Sequence, residues 1–554
     1  MNRVFIMKKS LKILLTAAIV NVFPGSVVSA APAISDQQKD VQKQFTDNKN
    51  SVYISNATPA ADKATGVNTF HLKRLNVSSE IQFKDSNKGL QIILDKYKNS
   101  EVSLLDLQNA VLEVTSYFRK HGYPAATAYL PPQKSEDGTI LIAVETGKFG
   151  EITIENNSRL KTSVIESLIK GLKTGDIIQE KKLNTALYNI IGLGGVKAGG
   201  MLSPGKEIGQ SDLVVRVEDG DKESFVLYTE NYGSKSSGRY RYGFTANLYE
   251  MAGKGDHFGA NVLISNNKQR NYGIQYDQLI GRSGTKAGIA LSQTYYELGG
   301  HFNALGATGR ANTVSLYGTT PLWNTGTSSM NITYGWDYRK MKDELRSFSY
   351  EVEKHSHAFH VGVNGHEQFA KNAVNYDITT YIGNLTGENA HIGPIPLTVA
   401  PEGKYCKIVA NLSSIQRFTK DWDLMLRFQG QKAGNNLDSS EQMYLGGANA
   451  VRAYPQGEGS GDEGYQATAE LRYHTKIPGV TLSTYFDIGH VKYTHNDSIP
   501  GGTTLKGWGI GVSWNSPNNL FARLDYARRI GLANDATDDA KSKQRMWFML
   551  GKVF

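Results

Sequence analysis

Two charged side chains, Arg452 and Asp487, carry the chemistry that this sequence most clearly offers, which is a buried ion pair. Arg452 lies in a glycine-rich stretch between residues 445 and 464, and Asp487 lies in the alternating stretch 481–491. Because successive strand residues point to opposite faces, Asp487 falls on the polar face of that stretch. An arginine joins a carboxylate through two charge-assisted hydrogen bonds, which are worth more in a restricted interior than at a surface. The alternative is that Arg452 is an exposed loop arginine.

Three patterns that resemble enzyme or metal sites do not meet the requirements of those sites. Residues 200–206 contain most of a phosphate-binding loop, but Glu207 replaces the metal-binding serine or threonine, and a hairpin is predicted there. Three histidines, His355, His357 and His360, lie close together in the sequence. Only the first two share a strand face and no third ligand is placed beside them, so a rim or lumen position is favoured over a metal site. No nucleophile and base are paired. We expect a protein that is not an enzyme, with no cofactor and no bound metal.

The composition favours many aromatic strands joined by glycine turns, since the 554 residues include 57 Gly and 29 Tyr but only 15 Pro. The lone Cys406 excludes an internal disulfide and argues against a cysteine zinc site. The net charge of +9 is spread along the chain, so nucleic-acid binding is not expected. A mean hydropathy of −0.39 fits a soluble protein and a β-barrel equally well.

The first thirty residues have the pattern of a secretory signal peptide. A basic stretch, an apolar stretch over 13–23 and small residues before position 31 follow one another in the expected order. We therefore expect residues 1–30 to be removed outside the cytoplasm. Residues 31–67 are polar and weakly patterned; a disordered terminus and a linker that contains a short helix are both compatible with them.

Residues 68–221 have the pattern of two consecutive modules, each with the order strand, helix, helix, strand, strand. The first module spans 68–147 and the second spans 148–221. Ser103, three residues before Asp106, predicts a capping box at the start of the second helix of the first module. A single strand is predicted over 70–77.

Beyond residue 221 the helical periodicity disappears and strands of roughly ten residues recur. One face of these strands is apolar and the other carries Gly, Asn, Thr and acids, which suits a water-filled lumen better than a packed core. We predict an all-β transmembrane barrel of about sixteen antiparallel strands over 222–554. The long loop 433–464, which contains Arg452, would then join the eleventh and twelfth strands, and Asp487 would lie one strand away.

These features resemble the TpsB family of two-partner secretion transporters over essentially the whole mature chain. In the first module, the residues similar to the first POTRA domain of that family are Tyr117, Gly122, Tyr123, Pro131 and Gln133. In the second module, the residues similar to the second POTRA domain are Pro204 and Gly205. The fold class is therefore α+β POTRA domains followed by the barrel.

Two further signatures of the family have counterparts in the barrel. Val451-Arg452-Ala453-Tyr454 is similar to the Val-Arg-Gly-Tyr loop signature, and Phe486-Asp487-Ile488-Gly489 is similar to the strand signature Phe-x-Asp-x-Gly. Ala453 stands where glycine is usual, and the aromatic residue lies directly before the acid. Since a Cβ atom disfavours positive φ, it is an open question whether the backbone makes the same tight turn at Ala453 as it does where glycine is present.

The resemblance implies an outer-membrane channel that exports one large partner protein, with both POTRA domains in the periplasm. The partner would be a cytolysin or an adhesin with an N-terminal secretion domain, and the transporter would be a monomer in outer-membrane lipid. It also implies that the arginine loop, Val451 to Tyr454, folds back into the barrel. Since strand alternation places Asp487 in the lumen, we expect the loop to act as a latch whose lumenal partner is Asp487, grouped with Phe486 and Gly489. Residues 36–48 would form a helix that plugs the pore.

Two other functions share part of these features. A barrel-assembly factor shares the arginine loop but usually carries more POTRA modules. A passive diffusion porin needs neither the modules nor the loop signature. Within the preferred function, the modules either bind an extended client by strand addition or only space the barrel from another machine.

Overall fold

The computed structural model describes residues 54–56, 69–81, 87–134, 137–393, 395–396, 401–531 and 538–554. The expected signal peptide at 1–30 and the expected plug helix at 36–48 lie outside the described residues. Among the described residues, every helix is too short or too polar to cross a membrane.

The first module is a small sheet covered by two helices. Its elements are β2 (Thr69–Leu72), β3 (Arg74–Ser79), α1 (Asn87–Asp95), β4 (Ser100–Ser103), α2 (Leu104–Lys120), β5 (Thr127–Tyr129) and β6 (Thr139–Glu145). The sheet order is β3-β6-β5, with β5 antiparallel and β3 parallel to β6. The predicted capping box is present at the start of α2, because Ser103 Oγ accepts from the Asp106 amide and Asp106 accepts from the Ser103 amide.

One predicted strand of this module is wrong. Residues 70–77 form two strands, β2 and β3, which belong to different sheets. The chain breaks at Lys73, whose amide donates to the Gly138 carbonyl at 2.8 Å. β2 then pairs with β4, a strand between the helices that the periodicity did not indicate.

The second module has the predicted order without an extra internal strand. It consists of β7 (Lys148–Asn157), α3 (Thr162–Ile169), α4 (Glu180–Ile191), β8 (Val196–Pro204) and β9 (Gln210–Asp219). Leu213, Val215 and Val217 of β9 are fully buried against helix residues such as Leu183 and Leu187. A short strand from before the first module, β1 (Ile54–Asn56), runs parallel to β8 and covers the outer edge of this sheet.

The remainder of the chain closes into a barrel. Its strands are β10 (Glu223–Glu230), β11 (Arg241–Tyr249), β12 (His257–Ser265), β13 (Arg270–Leu279), β14 (Lys286–Glu297), β15 (Ala307–Asn324), β16 (Ser328–Leu345), β17 (Tyr350–Gln368), β18 (Asn372–Ile392), β19 (Ile395–Pro396), β20 (Gly403–Arg417), β21 (Trp422–Ala433), β22 (Met443–Tyr444), β23 (Ser460–Gly461), β24 (Glu463–His474), β25 (Val480–Lys492), β26 (Gly502–Asn515), β27 (Leu520–Arg529) and β28 (Gln544–Val553).

Sixteen of these strands form the barrel wall, as predicted. β10 pairs with β28 and closes the ring, β19 is a two-residue extension beside β18, and β22 and β23 pair with each other inside the long loop. The loop joins β21 and β24, which are the eleventh and twelfth wall strands. Period-two alternation holds, since Leu482 and Phe486 of β25 are 45% and 42% exposed while Asp487 is 1% exposed.

The second module is joined to one rim of the barrel by polar contacts. Lys286 Nζ, at the start of β14, donates to the Gly192 and Leu193 carbonyls at 2.9 and 3.2 Å, just after α4 ends. The turn between β11 and β12 touches the module too, because the Lys161 amide donates to the Gly253 carbonyl at 3.0 Å. A lysine at the C-terminal end of a helix is favourable because the terminal carbonyls carry partial negative charge.

Glu250 in this turn is only 1% exposed. One carboxylate oxygen accepts from the Gly255 amide at 3.1 Å, while the other has no hydrogen-bond partner. Burial raises the pKa of Glu250 to about 7. A carboxyl group whose pKa is higher in the folded state stabilises the fold at low pH, and this stabilisation is lost as the pH rises through the folded-state pKa.

We therefore expect Glu250→Gln to unfold at a higher temperature than the parent at about pH 8 and at the same temperature at about pH 4, because the amide has no proton to lose. Circular dichroism of heat unfolding in detergent measures both. Glu223→Gln, which removes an exposed carboxylate at the same rim, serves as the control. Equal stability of parent and Glu250→Gln at pH 8 would contradict the assignment.

Candidate functional site

The loop between β21 and β24 is folded into the barrel and is ordered by its own hydrogen bonds. The Leu445 amide donates to the Gly459 carbonyl at 2.9 Å, and the Val451 amide donates to the Leu445 carbonyl at 2.8 Å. Val451, Ala453 and Tyr454 are 0%, 2% and 1% exposed. The Arg452 segment is therefore part of a packed interior.

The structure brings the two predicted partners together. Arg452 Nε donates to Asp487 Oδ2 at 2.9 Å, and Arg452 Nη2 donates to Asp487 Oδ1 at 2.8 Å. The Arg452 amide also donates to Asp487 Oδ2, at 3.1 Å. With Arg452 4% exposed and Asp487 1% exposed, the alternative of an exposed loop arginine is wrong.

Two further carboxylates, which the sequence analysis did not identify, complete the surroundings of the guanidinium. Arg452 Nη1 donates to Glu470 of β24 at 2.8 Å and to Asp525 of β27 at 3.4 Å. A second arginine of the wall, Arg523, binds the same two acids, with its Nε 2.6 Å from Asp525 and its Nη2 3.4 Å from Glu470. Buried Arg452 and half-buried Arg523 are thus shared among three buried carboxylates, so each buried charge has a partner of opposite sign.

Aromatic residues hold the same arginine from two other sides. The Arg452 guanidinium lies 3.1 Å from the centroid of the Tyr485 ring, a cation–π arrangement. Trp547 of β28 is 2% exposed and donates from its indole nitrogen to the Arg452 carbonyl at 2.7 Å. The ring of Trp547 also meets that of Tyr232 edge to face at 5.8 Å. We call Arg452 and its three acids Glu470, Asp487 and Asp525 the tip latch.

A sequence signal existed for some of these residues and not for others. Glu470 and Asp525 lie on the inward face of their strands. Period-two alternation in the sequence is enough to predict that such acids face the lumen. Which of them meets Arg452 depends on the register between strands, where Glu470 is opposite Tyr485 and Asp525 is opposite Gly511. For Trp547 the sequence shows only an aromatic residue in an alternating strand, which does not predict a contact with the Arg452 backbone.

At the latch, one grouping needs correction, and the question left open at Ala453 is answered. Phe486, grouped with the lumenal partner of the latch, faces outward and is 42% exposed, because it precedes Asp487 by one residue in a strand. Ala453 raises no backbone difficulty, since the described non-glycine residues with positive φ do not include it, and positive φ falls instead on Gly447, Gly457 and Gly459.

Two wall glycines give the loop room to approach. A Cβ atom at Gly489 would lie 2.8 Å from Leu445 Cδ2, so the predicted Gly489 does adjoin the loop. A Cβ atom at Gly507 of β26 would lie 2.5 Å from the Cβ atom of Ala453, closer than two such atoms can approach. Ala453 therefore fills the space that Gly507 leaves.

The motif residues of the first module support its fold. Tyr117 is 8% exposed in the core, Tyr123 packs against that core, and Gly122 follows α2 with a φ of +91°. Gln133 bridges back to β6, where its side chain exchanges two hydrogen bonds of 2.7 Å with the backbone of Leu141. Pro131 lies two residues before it.

The motif residues of the second module are at a turn. Pro204 ends β8, and the Gly205 amide donates to the Gln210 carbonyl at 3.0 Å, which makes the hairpin between β8 and β9. The phosphate-loop pattern 200–206 falls in this hairpin, not before a helix.

The three histidines do not meet at one point, although the rings of His355 and His357 lie 6.1 Å apart, edge to face. His355 lies 3.4 Å from Glu388, His357 stacks on Trp336, and His360 lies 3.2 Å from Asp337. Within the described part of the chain, no group of three metal-ligating side chains is close enough to hold an ion.

A cavity of about 380 Å³ lies on α2 of the first module; it is lined by Leu112, Thr115, Ser116, Arg119 and Lys120. The edge of β5 adjoins it, because Thr115 Oγ1 accepts from the Ala128 amide at 2.9 Å and Arg119 Nε donates to the Ala126 carbonyl at 3.0 Å. The outward backbone groups at this edge are thus held by side chains, not by another strand.

Comparison with known proteins gives a consistent result. Residues 209–514 match the family described as haemolysin secretion/activation protein ShlB/FhaC/HecB, and residues 70–147 match the POTRA domain of ShlB type. The heme/hemopexin transporter protein HuxB of Haemophilus influenzae is 27% identical over 496 residues, which cover 86% of this chain and 87% of HuxB.

Solved structures show the same fold. CdiB from Escherichia coli aligns with a TM-score of 0.67 at 17% identity, covering 96% of this chain and 98% of CdiB. BamA from Haemophilus ducreyi lacking POTRA domains 1–3 aligns with a TM-score of 0.52 at 12% identity, covering 88% of this chain and all of that structure.

The contact between Gly507 and Ala453 is testable by substitution. Gly507→Ala is expected to displace the loop, because overpacking destabilises its packed position by about 1–3 kcal/mol. The peptide bond after Arg452 should then become accessible to trypsin. The added substitution Ala453→Gly removes the clashing atom, so the double variant should regain protection.

Trypsin digestion of the folded protein, followed by mass measurement of the fragments, reads out both variants. Gly434→Ala is the matched control, because a Cβ atom there meets nothing closer than 3.6 Å. If Gly507→Ala were as protected as the parent, or if Ala453→Gly failed to restore protection, the proposed packing would be wrong.

Proposed function

This chain belongs to the family of haemolysin secretion/activation proteins ShlB/FhaC/HecB, and from that membership we propose how its modules and barrel share the export of one exoprotein. The chain is an outer-membrane transporter of two-partner secretion, with POTRA domains in the periplasm. It recognises a partner exoprotein with those domains and secretes it through the barrel without ATP. The family is one of transporters, and we propose that this chain catalyses no reaction.

We propose that the edge of β5 and the cavity beside it are where the unfolded exoprotein first binds. An extended client can add a strand to an unpaired edge, with main-chain hydrogen bonds that demand little of its sequence. Thr115 and Arg119 hold the outward backbone groups of that edge now, and an incoming strand would take their place. Leu112, 54% exposed, offers apolar surface to alternate side chains of the client.

The observation that carries this proposal is the difference between the two modules. In the second module the edge strand β8 is already covered by β1. In the first module no described strand lies beyond β5. Of these two corresponding edges, only that of the first module is open among the described strands, and a role as a mere spacer would leave its cavity without a use.

The tip latch gives the barrel its part in export. We propose that it holds the loop in its working position in the lumen, so that the wall around β24, β25 and β27 stays closed while the client passes. In this proposal, folding of the client outside the cell supplies the downhill step. Passive diffusion is disfavoured, since a porin has no need of a loop held in its lumen by buried ion pairs.

The client and the oligomeric state go beyond what the family establishes. The partner is expected to be a cytolysin or an adhesin with an N-terminal secretion domain, and the transporter to act as a monomer in outer-membrane lipid. HuxB is named a heme/hemopexin transporter, so an exoprotein that handles heme or hemopexin is a further client to test. The likeness to BamA shows the fold alone.

The docking edge can be tested by placing a charge in its cavity. Leu112→Asp is expected to lower the amount of secreted exoprotein by about tenfold or more, since a buried leucine contact contributes roughly 1.5–3 kcal/mol and each 1.4 kcal/mol is a factor of ten in affinity. Secretion is measured in cells that carry the transporter and an exoprotein encoded beside it.

Leu105→Asp is the matched control, because Leu105 is a leucine of the same helix with the same exposure, 53%, but lies outside the cavity. Both variants should insert into the outer membrane at the parent's level. If Leu112→Asp secreted normally, or if Leu105→Asp were equally impaired, the β5 edge would not be the docking site.

A further inference from the structure

The first part of the loop has ionic contacts of its own, on a different part of the wall from the tip latch. Lys354 of β17 donates from Nζ to both carboxylate oxygens of Asp438, at 3.1 and 2.8 Å. Both residues are 8% exposed. Asp343 of β16 lies 4.0 Å from the same lysine, so Lys354 has a second acid nearby.

Glu441, three residues further along the loop, binds two other wall cations. Arg339 of β16 donates from Nη1 to Glu441 Oε1 at 3.0 Å, and Lys407 of β20 lies 2.8 Å from Glu441 Oε2. Lys407 also donates to the Glu441 carbonyl at 2.9 Å. Glu441 is 7% exposed, so these pairs are shielded from water and are worth more than surface pairs.

The same part of the loop also packs against the wall through an apolar contact. Leu437 is 3% exposed and lies in a cluster with inward-facing wall residues, among them Ala311, Met341, Ala358 and Tyr405. The loop thus rests against the wall here, and the ion pairs surround a packed side chain. We call Lys354 with Asp438, and Arg339 and Lys407 with Glu441, the base latch.

The two latches have opposite polarity and share no wall strand. At the tip the loop supplies the cation, and β24, β25 and β27 supply the acids. At the base the loop supplies the acids, and β16, β17 and β20 supply the cations. Either end of the loop would meet like charges on the other's wall, so the pattern specifies one placement of the loop.

We propose that the base latch is a second attachment of the loop that releases independently of the tip latch. The inference rests on the proposed function, because a client that crosses the lumen needs the loop to yield somewhere. Release at the base frees the loop from β16, β17 and β20 while Arg452 stays bound, which opens space along that side of the wall. The Arg452 site then keeps the loop from leaving the barrel.

Cysteine labelling at two loop positions distinguishes the two ends. Ser440→Cys reports on the base and Ala448→Cys reports on the tip; both positions are buried, at 7% and 9% exposure, and Cys406→Ala removes the native thiol. In outer-membrane fractions, Asp438→Asn with Glu441→Gln is expected to speed maleimide labelling at 440 by about tenfold or more, since a broken buried ion pair exceeds the 1.4 kcal/mol of one factor of ten. Labelling at 448 should stay at the parent's rate.

The matched control is Lys342→Gln with Glu351→Gln, which removes an outward-facing pair, 3.0 Å apart, between the same two strands β16 and β17. It should change neither reporter. The single variant Glu441→Gln leaves the pair of Lys354 and Asp438 in place. It is expected to speed labelling at 440 by less than the double variant does, and it remains informative if the double variant folds poorly.

Two results would overturn the proposal: unchanged labelling at 440, or equal acceleration at both reporters. Equal acceleration would mean that the loop is released as one block. Failure of the variants to secrete, with the labelling as expected, would bear on the proposed function and leave the second attachment standing.

Discussion

A buried guanidinium keeps its charge, and this constraint determines how the interior of the barrel is built. Arginine cannot be deprotonated in a protein, so Arg452 must be paired or remain in water. The wall supplies Asp487, Glu470 and Asp525, and Tyr485 covers the remaining face. These partners come from β24, β25 and β27, so a single loop residue ties three wall strands to one interior position.

The closed barrel extends this constraint from Arg452 to the whole inner wall near the loop. Each strand alternates between lipid and lumen, so every inward residue near the loop is either a partner for it or an obstacle to it. Gly489 and Gly507 stand where a side chain would collide with the loop, and cations on β16, β17 and β20 meet the acids at its base. The loop is therefore specified along its length by shape and charge together, while the modules on the other rim remain free to bind a client.

Period and spacing were sufficient to predict some of this from the sequence. The sixteen strands, the place of the loop after the eleventh, and the inward face of Asp487 all follow from period two and glycine spacing. Glu470, Asp525 and the base acids did not follow, because the register between strands and the path of a loop are set by tertiary packing. The strand predicted over 70–77 failed for a similar reason, since it is divided at Lys73, where the Lys73 and Arg74 amides both donate to the Gly138 carbonyl.

The central claim, that the paired arginine positions the loop for export, is tested most directly by the amount of exoprotein that Arg452→Ala cells release at equal levels of inserted barrel. The account predicts that release is lost while Arg310→Ala, which removes an exposed arginine of β15, secretes like the parent. Arg452→Lys keeps the charge without the planar fork and should fall between the two. Normal release by Arg452→Ala would contradict the account.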